Sequence, residues 1–467
     1  MLPVDDSKYL LLDVPLSEEL LDMRRDVSLI FLLTLFAPAC TAAQGAGGAK
    51  CEADNVGLKL PAGFCATLFA DSVPGVRHMA VAPNGDVFAS RQGRAGGVVA
   101  LRDANHDGRA DSRETIATGF GSSEVALFDG HLYTEASPPR APGAAPGAAG
   151  PTISILRYPM KAGELVPSGQ PDTIVHGLPG QPGHSTRNFA ISHDGVMYVN
   201  IGSPTNACQE RDRAPGTPGI NPCTALDTRA GIWRFDARKE HQTPSAANHF
   251  ARGIRNAVGL AISPVDGKLW ATQHGRDQLG DWKSKLGMDT AAVVRYNAEN
   301  PAEELLQVNQ GDDFGWPYCY YAFDHHRLVL APEYGGDGKQ TGECASKKEP
   351  VAVFPAHWAP NGMLFYTGSV FPARYKNGAF IAFHGSWNRA PEAQAGFNVV
   401  FQPLSDGKAS GQYEVFADNF APNIGPGRAT AGSGAHRPTG LAQGPDGALY
   451  VADDAGGRIY RITYNGK

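Results

Sequence analysis

One short phrase recurs through this chain, and it constrains the fold more than any bulk property. MAVAPNGDVFAS (Met79 to Ser90), VALFDGHLYTEAS (Val125 to Ser137), FAISHDGVMYVNIGS (Phe189 to Ser203), LAISPVDGKLWATQHG (Leu260 to Gly275) and LAQGPDGALYVADD (Leu441 to Asp454) share one pattern. A short apolar run meets an Asn/Asp-Gly turn, and an alternating apolar run follows. A looser sixth copy reads YTGSVFPARYKNGAFIAFHGS, Tyr366 to Ser386. Asn-Gly and Asp-Gly supply the positive φ that a tight turn between twisted strands needs, so each copy predicts a β-hairpin. Hairpins repeated at this interval predict four-stranded blades around an axis, and six copies predict an all-β, six-bladed β-propeller.

The repeats run from Met79 almost to the C-terminal RIYRITY and leave no room for a separate catalytic domain. The expected organisation is an upstream segment with a signal peptide (1–43), a flexible lead (44–56) and one propeller domain (57–467). Strand GFCATLFA, near residue 65, is the candidate to complete the last blade. PRAPGAAPGAAGPT (Pro139 to Thr152) and APNIGPGRATAGSGAH (Ala421 to His436) read as Gly-rich excursions, and helical periodicity is nearly absent after residue 40.

The N-terminus reads as an export address. Met23-Arg24-Arg25 opens a basic region, VSLIFLLTLFA is apolar but too short for a bilayer, and APACTAAQ offers small-residue cleavage sites. Met23 is therefore the expected start, with no transmembrane span after processing. The expected location is the periplasm or the exterior. Cys40 is a candidate lipid-anchor position, although Ala37-Pro38-Ala39 is a poor lipobox. The other six cysteines suit disulfides in an exported chain. Nearest-neighbour pairing closes three local loops: Cys51–Cys65, Cys208–Cys223 and Cys319–Cys344. A net charge of −6 gives no reason to expect nucleic acid.

Three groups of residues fall where repeat symmetry predicts the inner ends of blades. His184 opens a strand after Gly-Gln-Pro-Gly, which places a near-neutral imidazole on the loop face as a candidate general base. Arg77, Arg187, Arg255 (with Asn256) and Arg437 each precede an inner strand, so blade symmetry makes them points around one pore. Convergent guanidinium groups bind carboxylates or phosphates; the alternative is salt bridging between blades. The third is QHGRDQLGD (Gln273 to Asp281), a Gly-containing turn in which Asp277 and free carbonyls suit a hard cation. Trp316-Pro317 follows, either stacking a flat ligand or packing. Separately, Asp103, Asn105, Asp107 and Asp111 alternate around Gly108 like the start of a calcium loop, but without the distal Glu of an EF-hand. A plain Asp/Asn-rich turn is the other reading.

GHSTRNFAIS, ARGIRNAVGLAISPVDGKLWATQHGRDQLGD, GDDFGWPYCY and APNGMLFYTGSVFPARYKNGAFIAFHGSWNR together resemble the soluble quinoprotein sugar dehydrogenases, including the sorbosone dehydrogenase-like group. The resemblance covers roughly residues 57–464. It implies a propeller that holds pyrroloquinoline quinone (PQQ) in a central pocket, with Ca²⁺ against the quinone. It makes His184 the base and places Arg255 and Asn256 beside the quinone oxygens, with Arg255 also counted as catalytic. Gly275 and Arg276 become carbonyl donors to Ca²⁺, with Asp277 an added ligand, and Arg437 becomes a carboxylate partner. Arg77, Arg187, His274 and Trp316 complete the expected cofactor set. Where glucose-type members carry a lysine, this chain has Ser386, with Arg389 the nearest cation, and the aspartate expected after the third repeat is replaced by IGSPTN. The expected substrate is an aldose, an aldosulose or a related sugar alcohol, with electrons leaving to an external acceptor such as cytochrome c or a quinone. The competing readings are a Ca²⁺-dependent lactonase and a non-catalytic propeller that binds carbohydrate or peptide.

Overall fold

The computed structural model describes residues 51–466 apart from 94–95, 142, 144–149, 182 and 423–434. The signal-like stretch, Met23 and Cys40 lie outside the described residues, as does most of the 421–436 excursion. Six antiparallel sheets follow one another in sequence, which makes a six-bladed propeller. Blades 1 to 6 occupy residues 76–117, 125–178, 189–252, 260–354, 360–417 and 438–464, with the innermost strand first in each.

Closure falls to the strand expected for it. Phe64–Ala70 pairs antiparallel with Arg458–Tyr464, from Phe64 opposite Tyr464 to Ala70 opposite Ile459, and completes blade 6. Phe64 also packs edge-on against Phe371 and Phe416 of blade 5, at 4.8 and 4.9 Å between ring centres. Chain closure is thus reinforced by buried aromatic area as well as by the ladder.

Five of the six phrases are hairpins as expected; the sixth is offset. Its strands are Pro360–Phe365 and Gly378–Phe383, joined by a longer loop containing the short 3₁₀ turn Ala373–Lys376. Asn377-Gly378 therefore opens the second strand and is not the turn, because the loop before it already reverses the chain. One helix, Thr290–Glu299, escaped the periodicity reading. Asp289 caps it by accepting from the Ala292 N–H at 2.8 Å. It packs with the two-stranded ribbon Cys319–Ala322/Arg327–Leu330, the two lying in successive insertions of blade 4. All three disulfides join the expected cysteines.

Inner strands approach closely at the axis. A β-carbon on Gly362 would lie 2.1 Å from the Thr439 carbonyl oxygen, and one on Gly440 would lie 2.4 Å from that of Arg77. Only glycine permits this contact between neighbouring blades. The axis itself is bridged by side chains. His78 places Nδ1 2.8 Å from Glu124 Oε2 and Nε2 2.7 Å from the Asn361 carbonyl. Asn188 Nδ2 donates to the same Glu124 oxygen at 3.1 Å. These contacts tie blades 1, 2, 3 and 5 directly.

Candidate active site

The site is a ring of side chains at one end of the propeller, drawn largely from two positions of the repeat. The first position lies just before an inner strand and supplies Arg77, Arg187, Arg255, Asn256 and Arg437. The second lies just past the second strand and supplies Ser203, His274, His384 and Asp454 in blades 3 to 6.

His184 stands on the loop ahead of blade 3, partly buried, with Nδ1 2.9 Å from both the carbonyl and the hydroxyl oxygen of Ser203. Ser203 Oγ itself donates to the Thr205 carbonyl at 2.7 Å. Two acceptors facing Nδ1 require the proton there, which leaves Nε2 as a bare lone pair. No protein group among the described residues bonds Nε2. Burial first, and then the Arg255 charge, hold the His184 pKa well below its ordinary value, so the ring is neutral at physiological pH. Ser203, in IGSPTN, thus orients the imidazole where an aspartate was expected.

Arg187 is fully buried, and burial pushes its pKa down to about 10. Its guanidinium donates to the carbonyls of Pro179, His184 and Thr186, so it shapes the His184 loop.

Arg255 is also held by protein groups. Nε donates to the Asn206 carbonyl, Nη1 to the Gly275 carbonyl, and Nη2 to Asn206 Oδ1 and Asp277 Oδ2, at 2.9–3.2 Å. Asp277 receives two further donors: Arg213 Nη2 on Oδ2 and Asn388 Nδ2 on Oδ1, each at 2.8 Å. Burial opposes its charge, but Arg255 and Arg213 hold the carboxyl well below the usual range. Arg213 comes from the loop stapled by Cys208–Cys223. Asn388 in turn donates to His357 Nδ1 at 3.1 Å. Beneath this cluster, the buried Glu303 carboxylate accepts from the N–H groups of Gly275 and Ala359. Burial pushes Glu303 up to about 7 and its neighbour Glu304 up to about 8.

The opposite arc of the ring, in blades 5, 6 and 1, is less filled. Arg77 Nη1 donates to Asp454 Oδ2 at 2.8 Å, and Arg77 Nε is buried with no protein partner. His384 Nε2 donates to Asp454 Oδ1 at 2.8 Å, leaving Nδ1 bare. Burial pushes His384 down to about 4. Arg437 donates through Nε and Nη2 to the carbonyls of His384 and Gly385 and keeps Nη1 without a protein partner among the described residues. His274 Nε2 donates to the Pro360 carbonyl at 3.1 Å, and burial with the Arg255 charge pushes it down to about 3. The Arg255 charge also acts on His184, and His384 acts on His274, so the two arcs form one electrostatic unit.

Like Arg187 and Arg255, three more expected cofactor residues have their polar atoms turned to protein. Trp316 is buried, its Nε1 donating to the Asn206 carbonyl at 2.9 Å. Ser386 is buried, with its hydroxyl donating to Gln394. Arg389 donates to the carbonyls of Ala298, Ala356 and Ala393. Between Ser386 and Asn388, Trp387 is 51% exposed. Far from the ring, the carboxylates of Asp103, Asp107 and Asp111 and the Asn105 amide oxygen accept from N–H groups of their own loop. These contacts give the loop the form of an Asp/Asn-rich turn. No group of three or more His, Cys, Asp or Glu side chains is arranged to hold a metal among the described residues.

The ring fits a flat polyanion: Arg77 Nε is an orphaned donor, and Arg437 Nη1 and Asn256 Nδ2 are without protein partners among the described residues. A calcium ion at 275–277 fits poorly. The Gly275 carbonyl and the Asp277 carboxylate already accept from guanidinium groups, and the Asp277 carbonyl accepts from Asn206 and Arg276.

The family described as TrAA12-like matches residues 149–465. A pyrroloquinoline quinone-dependent pyranose dehydrogenase of Coprinopsis cinerea is 25% identical over 313 residues, 60% of this chain and 39% of that protein. A pyrroloquinoline quinone-dependent sugar dehydrogenase of Hypocrea jecorina is 26% identical over 226 residues, 44% of this chain and 46% of that protein. The chain thus spans less than half the length of the curated relatives it matches. Among solved structures, the holo form of the Coprinopsis PQQ domain superposes with a TM-score of 0.65 at 19% identity. That match covers 90% of this chain and 99% of that one, and it bears on the fold.

Proposed function

The chain belongs to the TrAA12-like family, and on that premise we propose that it is a PQQ-dependent dehydrogenase that oxidises a sugar. One observation carries the reading: a neutral histidine with its bare Nε2 lies in the same ring as arginines whose donors are unfilled. PQQ, when bound, supplies a two-electron acceptor for hydride from a carbinol carbon. The chain supplies the rest. Arg77 and Arg437 would hold the cofactor carboxylates by charge-assisted hydrogen bonds. Asn256 would donate to a quinone oxygen, and the fixed positive charge of Arg255 would favour reduction there. His184 Nε2 takes the hydroxyl proton as the carbinol becomes a carbonyl, and Ser203 holds the ring in the tautomer that permits it.

The substrate class is an aldose, aldosulose or related sugar alcohol, and electrons pass to an external acceptor such as cytochrome c or a quinone. Three disulfides support an exported, oxidising location. No helix among the described residues is long and apolar enough to cross a membrane. The calcium ion implied by the resemblance plays no step in this reading, because its donors are engaged. The lactonase reading needs a carboxylate-rich metal centre, and the ring is instead rich in Arg and His.

Reconstitution tests the reading. Purified protein is loaded with PQQ, supplied with aldoses and an artificial acceptor dye, and dye reduction is followed. Saturable, PQQ-dependent reduction is expected. Lactone hydrolysis by cofactor-free protein, with no PQQ uptake, would overturn it.

A further inference from the structure

We propose that the Arg213–Asp277–Arg255 cluster takes the place of the divalent cation, so that this chain loads its anionic cofactor without a metal; the inference rests on the PQQ reading. Three observations point the same way. The Gly275 carbonyl accepts from Arg255 Nη1 at 3.0 Å, and both Asp277 carboxylate oxygens are engaged, Oδ2 by Arg255 and Arg213 and Oδ1 by Asn388. The Asp277 backbone carbonyl accepts from Asn206 at 2.9 Å. Among the residues expected to hold the ion, only the Arg276 carbonyl carries no protein donor among the described residues.

The ion pairs occupy the same groups. Arg213 and Arg255 both face Asp277, Arg213 also lies 3.9 Å from Asp212, and Arg276 is neutralised by its buried partner Glu333. A calcium site needs oxygen ligands free to turn toward the ion, whereas the Asp277 carboxylate is already held by two guanidinium groups and an amide. Packing also holds the cluster in place. The Cys208–Cys223 staple closes the loop bearing Arg213, Asn206 binds Arg255 through two of its oxygens, and Glu303 pins the Gly275 N–H at 2.9 Å. A fixed guanidinium beside an electron acceptor offers the same electrostatic service as a metal without needing ligands of its own.

The test has two independent arms. In the first, chelator-treated protein is assayed for metal content and titrated with PQQ, followed by tryptophan fluorescence, with and without about 1 mM Ca²⁺. Expected are a calcium content far below one ion per chain and PQQ affinities that agree within about threefold. Stoichiometric calcium surviving the chelator, or a tightening of about tenfold or more by Ca²⁺, would overturn the proposal. Absence of PQQ binding under both conditions would instead defeat the functional reading.

The second arm needs no cofactor. Ca²⁺ is added to the PQQ-free protein and the melting temperature is recorded, since any ligand of the native state raises it. No rise is expected for the wild type, and a Ca²⁺-dependent rise is expected for Arg213→Asp, which turns the local charge negative. A rise in the wild type that disappears in Asp277→Asn would place a metal site there and sink the proposal.

Discussion

Arg255 and Arg77 hold the same place in their repeats, one before blade 4 and one before blade 1, yet they are used differently. Arg255 is bonded through all three nitrogens to Asn206, Gly275 and Asp277. Arg77 makes one ion pair, to Asp454, and keeps a buried donor unfilled. The Arg255 cluster of blades 3 and 4 is a finished internal structure, stapled by a disulfide. The arc of blades 5, 6 and 1 is an unfinished one whose missing acceptors a ligand would bring. Equivalent positions in a repeat thus need not share a role: the partners decide whether an arginine builds the site or binds in it.

The largest expected effect falls between the arcs, at His184. His184→Ala should lower kcat by roughly 10²- to 10⁴-fold while PQQ affinity is retained, measured by steady-state dye reduction and fluorescence titration. Next come the two arginines, which should separate cleanly. Arg255→Met leaves buried Asp277 under-compensated and should reduce stability by about 3–5 kcal/mol. Arg77→Met should leave stability closer to wild type and weaken PQQ binding roughly 10- to 100-fold, the value of one or two charge-assisted hydrogen bonds. Denaturant melts and cofactor titrations on both variants settle the contrast; if Arg77 costs stability and Arg255 costs only affinity, the arcs have been assigned backwards.

A subtler effect is expected in stability against pH. His274 and His384 have folded pKa values of about 3 and about 4, below the ordinary 6.5, so the unfolded chain binds more protons. Their contribution is complete above about pH 6.5 and is lost as pH falls toward about 4, with a slope of at most about 1.4 kcal/mol per pH unit each. Glu303 and Glu304 are raised to about 7 and about 8, which gives the opposite slope: their contribution is complete below the ordinary 4.5 and is lost as pH rises toward 7–8. The two pairs nearly cancel between about pH 4.5 and 6.5, so melting temperature should show a mildly acidic plateau. A maximum above pH 8 would contradict these assignments. The smallest effect is expected for Ser203→Ala. The carbonyl still accepts from His184 Nδ1, so turnover should change by no more than a few-fold.

Much of the architecture was legible because hairpin turns carry their own chemistry. Asp-Gly and Asn-Gly marked five hairpins, and GFCATLFA was recognisable as the closing strand. The sixth hairpin was displaced because Asn377-Gly378 follows a turn made by Ala373–Lys376. At the site, the position before each inner strand was visible as a run of arginines, and His184 stood out on its loop. At the second ring position only His274 was read; His384 and Asp454 were missed, although FHGS and VADD end their phrases in the same phase as QHG. Arg213, Asn206 and Asn388 were not legible, since they come from loops outside the repeat and reach Asp277 only through tertiary folding. Trp316, Ser386 and Arg389 were expected beside the cofactor, and sequence alone could not show that their polar atoms face inward.

The central claim is that a neutral His184 removes a sugar hydroxyl proton within a ring that holds PQQ, and a single-turnover experiment addresses it most directly. Protein loaded with PQQ is mixed rapidly with an oxidisable aldose in the absence of any external acceptor, and the quinone absorbance is followed. The account predicts one equivalent of cofactor reduced per loaded chain in the wild type. In His184→Ala loaded to the same extent, reduction should be slower by roughly 10²-fold or more. An unchanged quinone spectrum in the wild type, or equally fast reduction in His184→Ala, would contradict it.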